Sequence, residues 1–295
     1  MIDIRLSNHG DLDDLKKLWK LCFGDDDNYI ELYYTSRYKE EETALLFQDG
    51  SLAAMLTMLP VQLILADESK VSAAMIYGVG THPSFRNQGL SRKLMQFAEE
   101  HLQANNIKLT ILVPATEGLF DFYRKLGYQT EFYIREVSFS YEDIINNKIN
   151  TKQQIIIESA TAEIYNQIRK MHCTGYPYVS YEDEDIQFQK EISMLSGGDV
   201  FSTKSSLGLG CFSIERFSEE LVIIKDLLIQ EELLVLALKE ISKIVPANQY
   251  IVRIPPFVEG MAGGDVRAFG MAKASEKISI NPATEVRGYL GLAFD

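Results

Sequence analysis

At 295 residues, 46% hydrophobic and 24% charged, the chain has the size of two globular domains and the composition of a folded protein. No apolar run approaches the roughly 18–20 residues that cross a bilayer, and the opening residues lack the basic-then-apolar order of a secretory signal. A cytoplasmic protein with no membrane partner is therefore expected. The formal charge of −13 divides almost evenly between the halves, which excludes the concentrated basic surface that nucleic acid requires and leaves a field favouring cationic substrates. Cys22, Cys173 and Cys211 show no close pairing or histidine spacing of the kind that binds zinc, so free thiols and no metal are expected.

In chain order, residues 2–7 read as a short strand and residues 11–22 as a helix, with Leu12, Leu15, Leu18 and Trp19 at helical spacing and Asp11 as its N-cap. Strands are predicted over 43–48 and 52–58, joined by the hairpin signal Asp49-Gly50, then over 62–66 and 71–81. A helix follows from Gly89, with Leu90, Leu94, Phe97, Ala98 and Leu102 on one face. A buried strand over 108–114, a short helix over 117–126 and a strand over 129–140 complete the first half. The polar stretch 143–153 marks the expected boundary, giving domains 1–145 and 150–295.

The second half repeats this order. A strand near 154–158 leads to helices near 162–171 and 185–195, strands near 200–203, 207–214 and 221–228, a helix over 231–244 and a strand over 250–254. The pattern predicts an α+β (α/β) architecture, a mixed, mostly antiparallel sheet flanked by helices, with a degenerate second copy of one fold.

Residues 77–95 carry the strongest functional signal. They run from a strand through Thr81-His82-Pro83 and a glycine loop into an amphipathic helix, whose free N–H groups and dipole suit a diphosphate. Gly89 permits close backbone approach, while Arg86 and Arg92 supply cations. The order Arg86-Asn87-Gln88-Gly89-Leu90-Ser91 resembles the cofactor signature of the GNAT acetyltransferase superfamily, with Ser91 departing from its last small position. Tyr123, four residues before the Gly127-Tyr128 pair, is similar to the tyrosine of the same superfamily's second motif. Residues 112–128 together with the tandem layout resemble the enhanced intracellular survival group, although no counterpart of that group's C-terminal lipid-carrier-like domain is expected within these 295 residues.

That resemblance implies an acetyl-CoA cosubstrate. The backbone of Val79, Gly80 and Thr81 would hold the pantetheine arm, Arg86 and Asn87 to Arg92 the diphosphate, and Thr116 and Glu117 would line the cleft. Tyr123 would protonate the leaving thiolate, a role that fits a phenol with a reference pKa near 10. No base stands out: Glu117, Asp121, His82, the Asp295 carboxylate and a water chain are all candidates. The reaction expected is N-acetylation of a small, cationic amine acceptor, and an oligomer is compatible with the sequence. The rival reading is a non-catalytic acyl-CoA-binding or sensor protein of the same fold. The second half has Leu227-Leu228-Ile229-Gln230-Glu231-Glu232 where the glycine loop would fall, and acids there would repel a diphosphate, so one cofactor site per chain is expected.

Two tyrosine-rich acidic patches complete the inventory. Asp25-Asp26-Asp27 with Tyr29, Tyr33 and Tyr34 would either border the acceptor entrance or form a solvated loop that caps the next helix. Tyr176, Tyr178 and Tyr181 beside Glu182–Asp185 would supply substrate walls or an anchoring surface.

Overall fold

The computed structural model describes residues 1–148, 152–258, 264–276, 278–280 and 287–294. The chain runs β1 (Ile2–Leu6), α1 (Leu12–Phe23), α2 (Asp27–Ser36), β2 (Thr43–Gln48), β3 (Ser51–Ile64), β4 (Lys70–Thr81), α3 (Leu90–Ala104), β5 (Leu109–Leu112) and α4 (Glu117–Arg124). It continues with β6 (Gln129–Ser140), α5 (Tyr141–Asn146), β7 (Ile156–Ser159), α6 (Ala162–Cys173), β8 (Tyr178–Ser180), α7 (Asp183–Leu195) and β9 (Asp199–Ser205). The last elements are β10 (Gly208–Arg216), β11 (Leu221–Leu228), α8 (Leu234–Ile244), β12 (Gln249–Ile254) and β13 (Asp265–Ala274).

Contacts divide the chain into two compact units. The first comprises Met1–Leu63, Lys70–Thr130 and Gly270–Ser279, and the second Ile64–Ser69, Glu131–Phe269 and Ile280–Asp295. This division differs from a cut at residues 145–150, because β6 from Glu131 onward falls in the second unit, with Arg135–Ser140 paired to β12, while Gly270–Ser279 joins the first unit. The segment expected to be a polar linker begins with α5, whose start is fixed by a capping box between Ser140 and Asp143.

In the first unit the sheet runs β1-β2-β3-β4-β5, with the end of β13 at its far edge. β2 and β3 form the expected hairpin, and Asp49 and Gly50 both have positive φ (51° and 80°), as a two-residue turn between twisted strands requires. The two strands predicted on either side of Pro60 are one continuous strand. Pro60 lies beyond Thr57, the last residue paired with β2, so its missing N–H breaks no bond on that side. β4 and β5 are parallel, and β13 is antiparallel to β5. Helices α3 and α4 cover one face of the sheet, packing Leu90, Leu94, Ala98, Leu102 and Tyr123 against Leu46, Leu56, Met58, Ala74 and Ile76. Helix α1 packs against β4 and brings Leu15, Leu18 and Trp19 into the interior. Asp11 stands at the N-cap position of α1, as expected, but makes no side-chain cap bond there. Its carboxylate forms paired 2.7 Å bonds with Arg5 and accepts from the Asn8 N–H, while the Asn8 side chain caps the preceding turn.

The second unit repeats the scheme. Its strand order is β13-β6-β12-β11-β10-β9-β7, with β11 and β12 parallel and the neighbouring pairs on either side antiparallel. Helix α8 packs Leu234, Leu238 and Ile241 on Val222, Ile224, Tyr250 and Val252. Helices α6 and α7 lie against β10.

Candidate active site

The site begins with a break in the face alternation of β4. Along a regular strand, successive side chains point to opposite faces. Ala74 and Ile76 lie in the α3–α4 core, and Tyr77 turns the other way onto Trp19 of α1, with ring centroids 5.8 Å apart. Gly78 faces the same way as Tyr77: a Cβ placed on it would stand 3.1 Å from the Trp19 ring. Two consecutive residues on one face define a bulge, after which Val79 returns to the α3–α4 core and Gly80 faces Cys22 on α1. Gly78 has φ 58°, so a side chain here would be strained by the left-handed backbone and would press on the Trp19 ring.

The bulge falls where β4 leaves its neighbour. Pairing with β5 covers Ala73–Met75 against Leu109–Ile111, and β5 ends at Leu112 while β4 continues to Thr81. Tyr77 to Thr81 therefore present backbone groups on the β5 side beyond the end of β5. A strand margin that outlasts its neighbour can pair with the amides of an extended ligand.

Beyond the margin, Arg86 is held at the strand exit by a 3.2 Å bond from its Nε to the Thr81 carbonyl. Asn87 (φ 63°) and Gly89 (φ 73°) both take the left-handed conformation, and Gly89 is the N-cap of the 15-residue helix α3. No side chain caps this helix start, Ser91 included, so the first N–H groups of α3 remain available. A Cβ on Gly89 would meet no atom within 4 Å, and Arg86, Asn87, Gln88, Gly89 and Arg92 are all exposed. Gln88 is restrained by Gln48 at 3.2 Å. These features fit a diphosphate: main-chain donors converge at a helix start, with cations beside them and nothing filling the approach.

Leu90 at the helix start, Val79 at the strand margin and Tyr123 share one core cluster. Tyr123 is 6% exposed, and no described residue hydrogen-bonds its hydroxyl. Burial pushes its pKa up to about 12, which keeps the phenol protonated across the neutral range. Thr116 is the N-cap residue of α4 and makes no side-chain cap bond, and Glu117, the first residue of the helix, is exposed. Asp295 lies outside the described residues.

Among the other base candidates, His82 accepts from the Ser84 N–H through Nδ1 at 3.2 Å and so shapes a turn. Asp121 is ion-paired with Arg124 on the same helix. The acidic run before α2 is occupied locally: Asp25 accepts the Trp19 indole N–H at 2.7 Å, Asp26 caps α2 through the Tyr29 N–H, and Asp27 pairs with Lys20 at 3.0 Å. The second patch serves the second unit's own tail. Tyr181 donates to the Leu290 and Leu292 carbonyls, the Arg169 guanidinium lies 5.7 Å from the Tyr178 ring, and Tyr176 stacks on Phe257 at 3.7 Å.

Sequence reasoning missed β13 and the bulge at Gly78. The signal for the bulge was present in the Gly78-Val79-Gly80 triplet at a strand end, where glycine weakens a regular strand and marks an irregularity.

Residues 3–130 match the family model described as the acetyltransferase (GNAT) domain. They belong to the GNAT superfamily, a class of acyltransferases that draw on an acyl-CoA cosubstrate. Several solved structures share the fold over nearly the whole chain. A GCN5-related N-acetyltransferase from Anabaena variabilis is 16% identical, with 93% of this chain and 73% of that chain covered and a TM-score of 0.72. Eis1 from Mycobacterium abscessus is 12% identical, with 92% and 73% covered and a TM-score of 0.67. A tandem GNAT protein from the clavulanic acid biosynthesis pathway is 10% identical, with 95% and 100% covered and a TM-score of 0.57. No curated protein sequence matches the chain. Among the described residues no helix is long and apolar enough to cross a membrane, and no group of three or more His, Cys, Asp or Glu is placed to hold a metal ion.

Proposed function

We propose that the chain moves an acetyl group from acetyl-CoA to the primary amine of a small cationic acceptor by direct attack on the thioester. The observation that carries this reading is the bulged end of β4, which runs on past the end of β5 and lies beside the uncapped start of α3. Main-chain groups of Val79, Gly80 and Thr81 pair with the pantetheine amides, and a bulge N–H is aimed at the thioester oxygen, where charge develops as the amine adds. Residues Arg86 to Arg92 take the diphosphate, and Thr116 and Glu117 border the cleft.

A short acyl group is favoured by crowding on the α1 side of the strand. Trp19 closes on Gly78, and a Cβ on Gly80 would lie 3.2 Å from Cys22 Sγ and 3.3 Å from Met55 Cε. The neutral amine forms a C–N bond as the C–S bond breaks, and the sulfur takes the Tyr123 proton. The amine's surplus proton is assigned to a carboxylate, with Asp295 the residue proposed. The net charge of −13 supports a cationic acceptor, because an acidic field draws cations in and raises their encounter rate.

A thiol-release assay with acetyl-CoA against a panel of polyamines, aminoglycosides and lysine-containing peptides tests this. Release that depends on the amine and is lost in Tyr123→Phe supports transfer. Acetyl-CoA binding with no release from any amine would leave the non-catalytic binder as the correct reading.

A further inference from the structure

Strand β13 brings a residue from the far end of the sequence into the first unit, where it has no counterpart in the superfamily signature motifs. Met271 to Ala274 pair with Leu112 to Leu109 on β5, and the Thr110 hydroxyl donates to the Lys273 carbonyl at 3.2 Å. The Lys273 ammonium is bound at 2.7 Å by Glu99 of α3, in a pair whose side chains are 31% and 19% exposed. Its stem passes under the turn that follows α4, with Cε 3.4 Å from where a Cβ on Gly127 would sit. The ammonium stands 5.9 Å from the Tyr128 ring centroid, a cation–π distance.

That turn is tied to Tyr123. The Tyr123 carbonyl accepts from the N–H groups of both Leu126 (2.9 Å) and Tyr128 (3.1 Å). The Tyr128 ring meets the Tyr123 ring edge-on, with centroids 5.8 Å apart at 65°. A fixed cation on the ring face of Tyr128 thus sets the orientation of the aromatic edge on which Tyr123 rests. Because the Tyr123 hydroxyl has no hydrogen-bond partner of its own among the described residues, ring packing is what aims it.

We propose that Lys273, held by Glu99, is a positioning residue for Tyr123, a role that rests on Tyr123 being the proton donor of the transfer. A partly exposed ion pair contributes little to stability, so its loss reads out in turnover. Misplacing a reacting group by about 1 Å lowers rates by up to about a hundredfold.

The test compares Lys273→Met, Lys273→Arg and Tyr123→Phe in the full chain, with the double variant Tyr123→Phe/Lys273→Met. Lys273→Met is expected to lower kcat about tenfold, leave the KM for acetyl-CoA within about twofold and leave the melting temperature nearly unchanged. Lys273→Arg should recover most of the loss, and Lys273→Met should cost nothing further once Tyr123 is Phe. If Lys273→Met does not fold, Glu99→Gln weakens the same pair from α3 and is read by the same criteria. Wild-type kcat in Lys273→Met alongside impaired Tyr123→Phe would overturn the positioning role alone, as would a full additional loss in the double variant. Wild-type turnover in Tyr123→Phe would overturn both this role and the proton-donor assignment beneath it.

Discussion

The two units use the same backbone device to opposite ends. In the first, Gly78 (φ 58°) breaks β4 three residues past Met75, the last residue paired with parallel β5. In the second, Asp226 (φ 55°) breaks β11 two residues past Ile224, the last residue paired with parallel β12. Around Gly78 the strand runs on past the end of β5, with β5 stopping at Leu112 and β4 continuing to Thr81. At Asp226 the position is filled from within: Arg169 Nε bonds its carboxylate at 2.9 Å, and Tyr165 (2.7 Å) and Tyr289 donate hydroxyl protons to it. Arg169 also donates to the carbonyls of Val179 and Leu290, which ties down the 288–292 segment, and a Cβ on Gly291 would collide with Asp226. A fold that leaves a strand margin open can either bind a ligand there or close it with its own charges. Which of the two occurs depends on what stands at the left-handed position and what the following loop offers. After β4 that loop is Gly89 at an uncapped 15-residue helix, and after β11 it is Glu231-Glu232.

The contrast can be broken most severely at Tyr123. Removing the hydroxyl in Tyr123→Phe should lower kcat by about 10²- to 10⁴-fold, the usual worth of a general acid, while acetyl-CoA affinity measured by calorimetry stays within about twofold. Asp226→Ala should instead destabilise the fold by about 3–5 kcal/mol in a denaturant titration, because it leaves the Arg169 guanidinium buried without its carboxylate. If Asp226→Ala is stability-neutral, the second margin is not held shut by this cluster.

Alkaline pH gives an intermediate effect. The folded Tyr123 phenol titrates at about 12 and an unfolded one near 10, so above pH 10 the unfolded state releases protons that the folded state keeps. Stability is therefore fully present below pH 10 and falls as pH rises toward 12, by about 3 kcal/mol from Tyr123 alone. Tyr165 and Tyr289 are pushed well above the ordinary tyrosine range by burial and by the Asp226 carboxylate, so they should ionise only on unfolding. Alkaline difference spectroscopy showing every tyrosine titrating freely near pH 10 would contradict this. The smallest effect is expected at Gly89: an alanine there strains a left-handed residue by about 1–2 kcal/mol and meets no neighbour, so a modest loss of acetyl-CoA affinity should accompany an intact fold.

The glycine loop was legible because its chemistry is local: Arg86, Asn87, Gln88 and Gly89 lie in one stretch and their turn follows directly from their identities. Helices α3 and α8 and strands β2, β4 and β11 were legible for the same reason, since alternation or helical spacing is a short-range property. The filled site was not. Arg169 reads as one charge on an amphipathic helix, and its partners lie 57 and 121 residues away. Lys273 was hidden likewise, because β13 gains its place from β5 more than 150 residues earlier. The Asp25–Asp27 run carried a compositional signal for a cationic entrance, yet each carboxylate has a local partner in Trp19, the α2 backbone or Lys20.

The claim that one margin is open and the other closed is tested most directly by titrating acetyl-CoA calorimetrically into the wild-type chain and into Gly89→Glu. The account predicts one site per chain, weakened at least about tenfold by a carboxylate set among the free N–H groups of α3. A second site of comparable affinity, or a single site indifferent to Gly89→Glu, would contradict it.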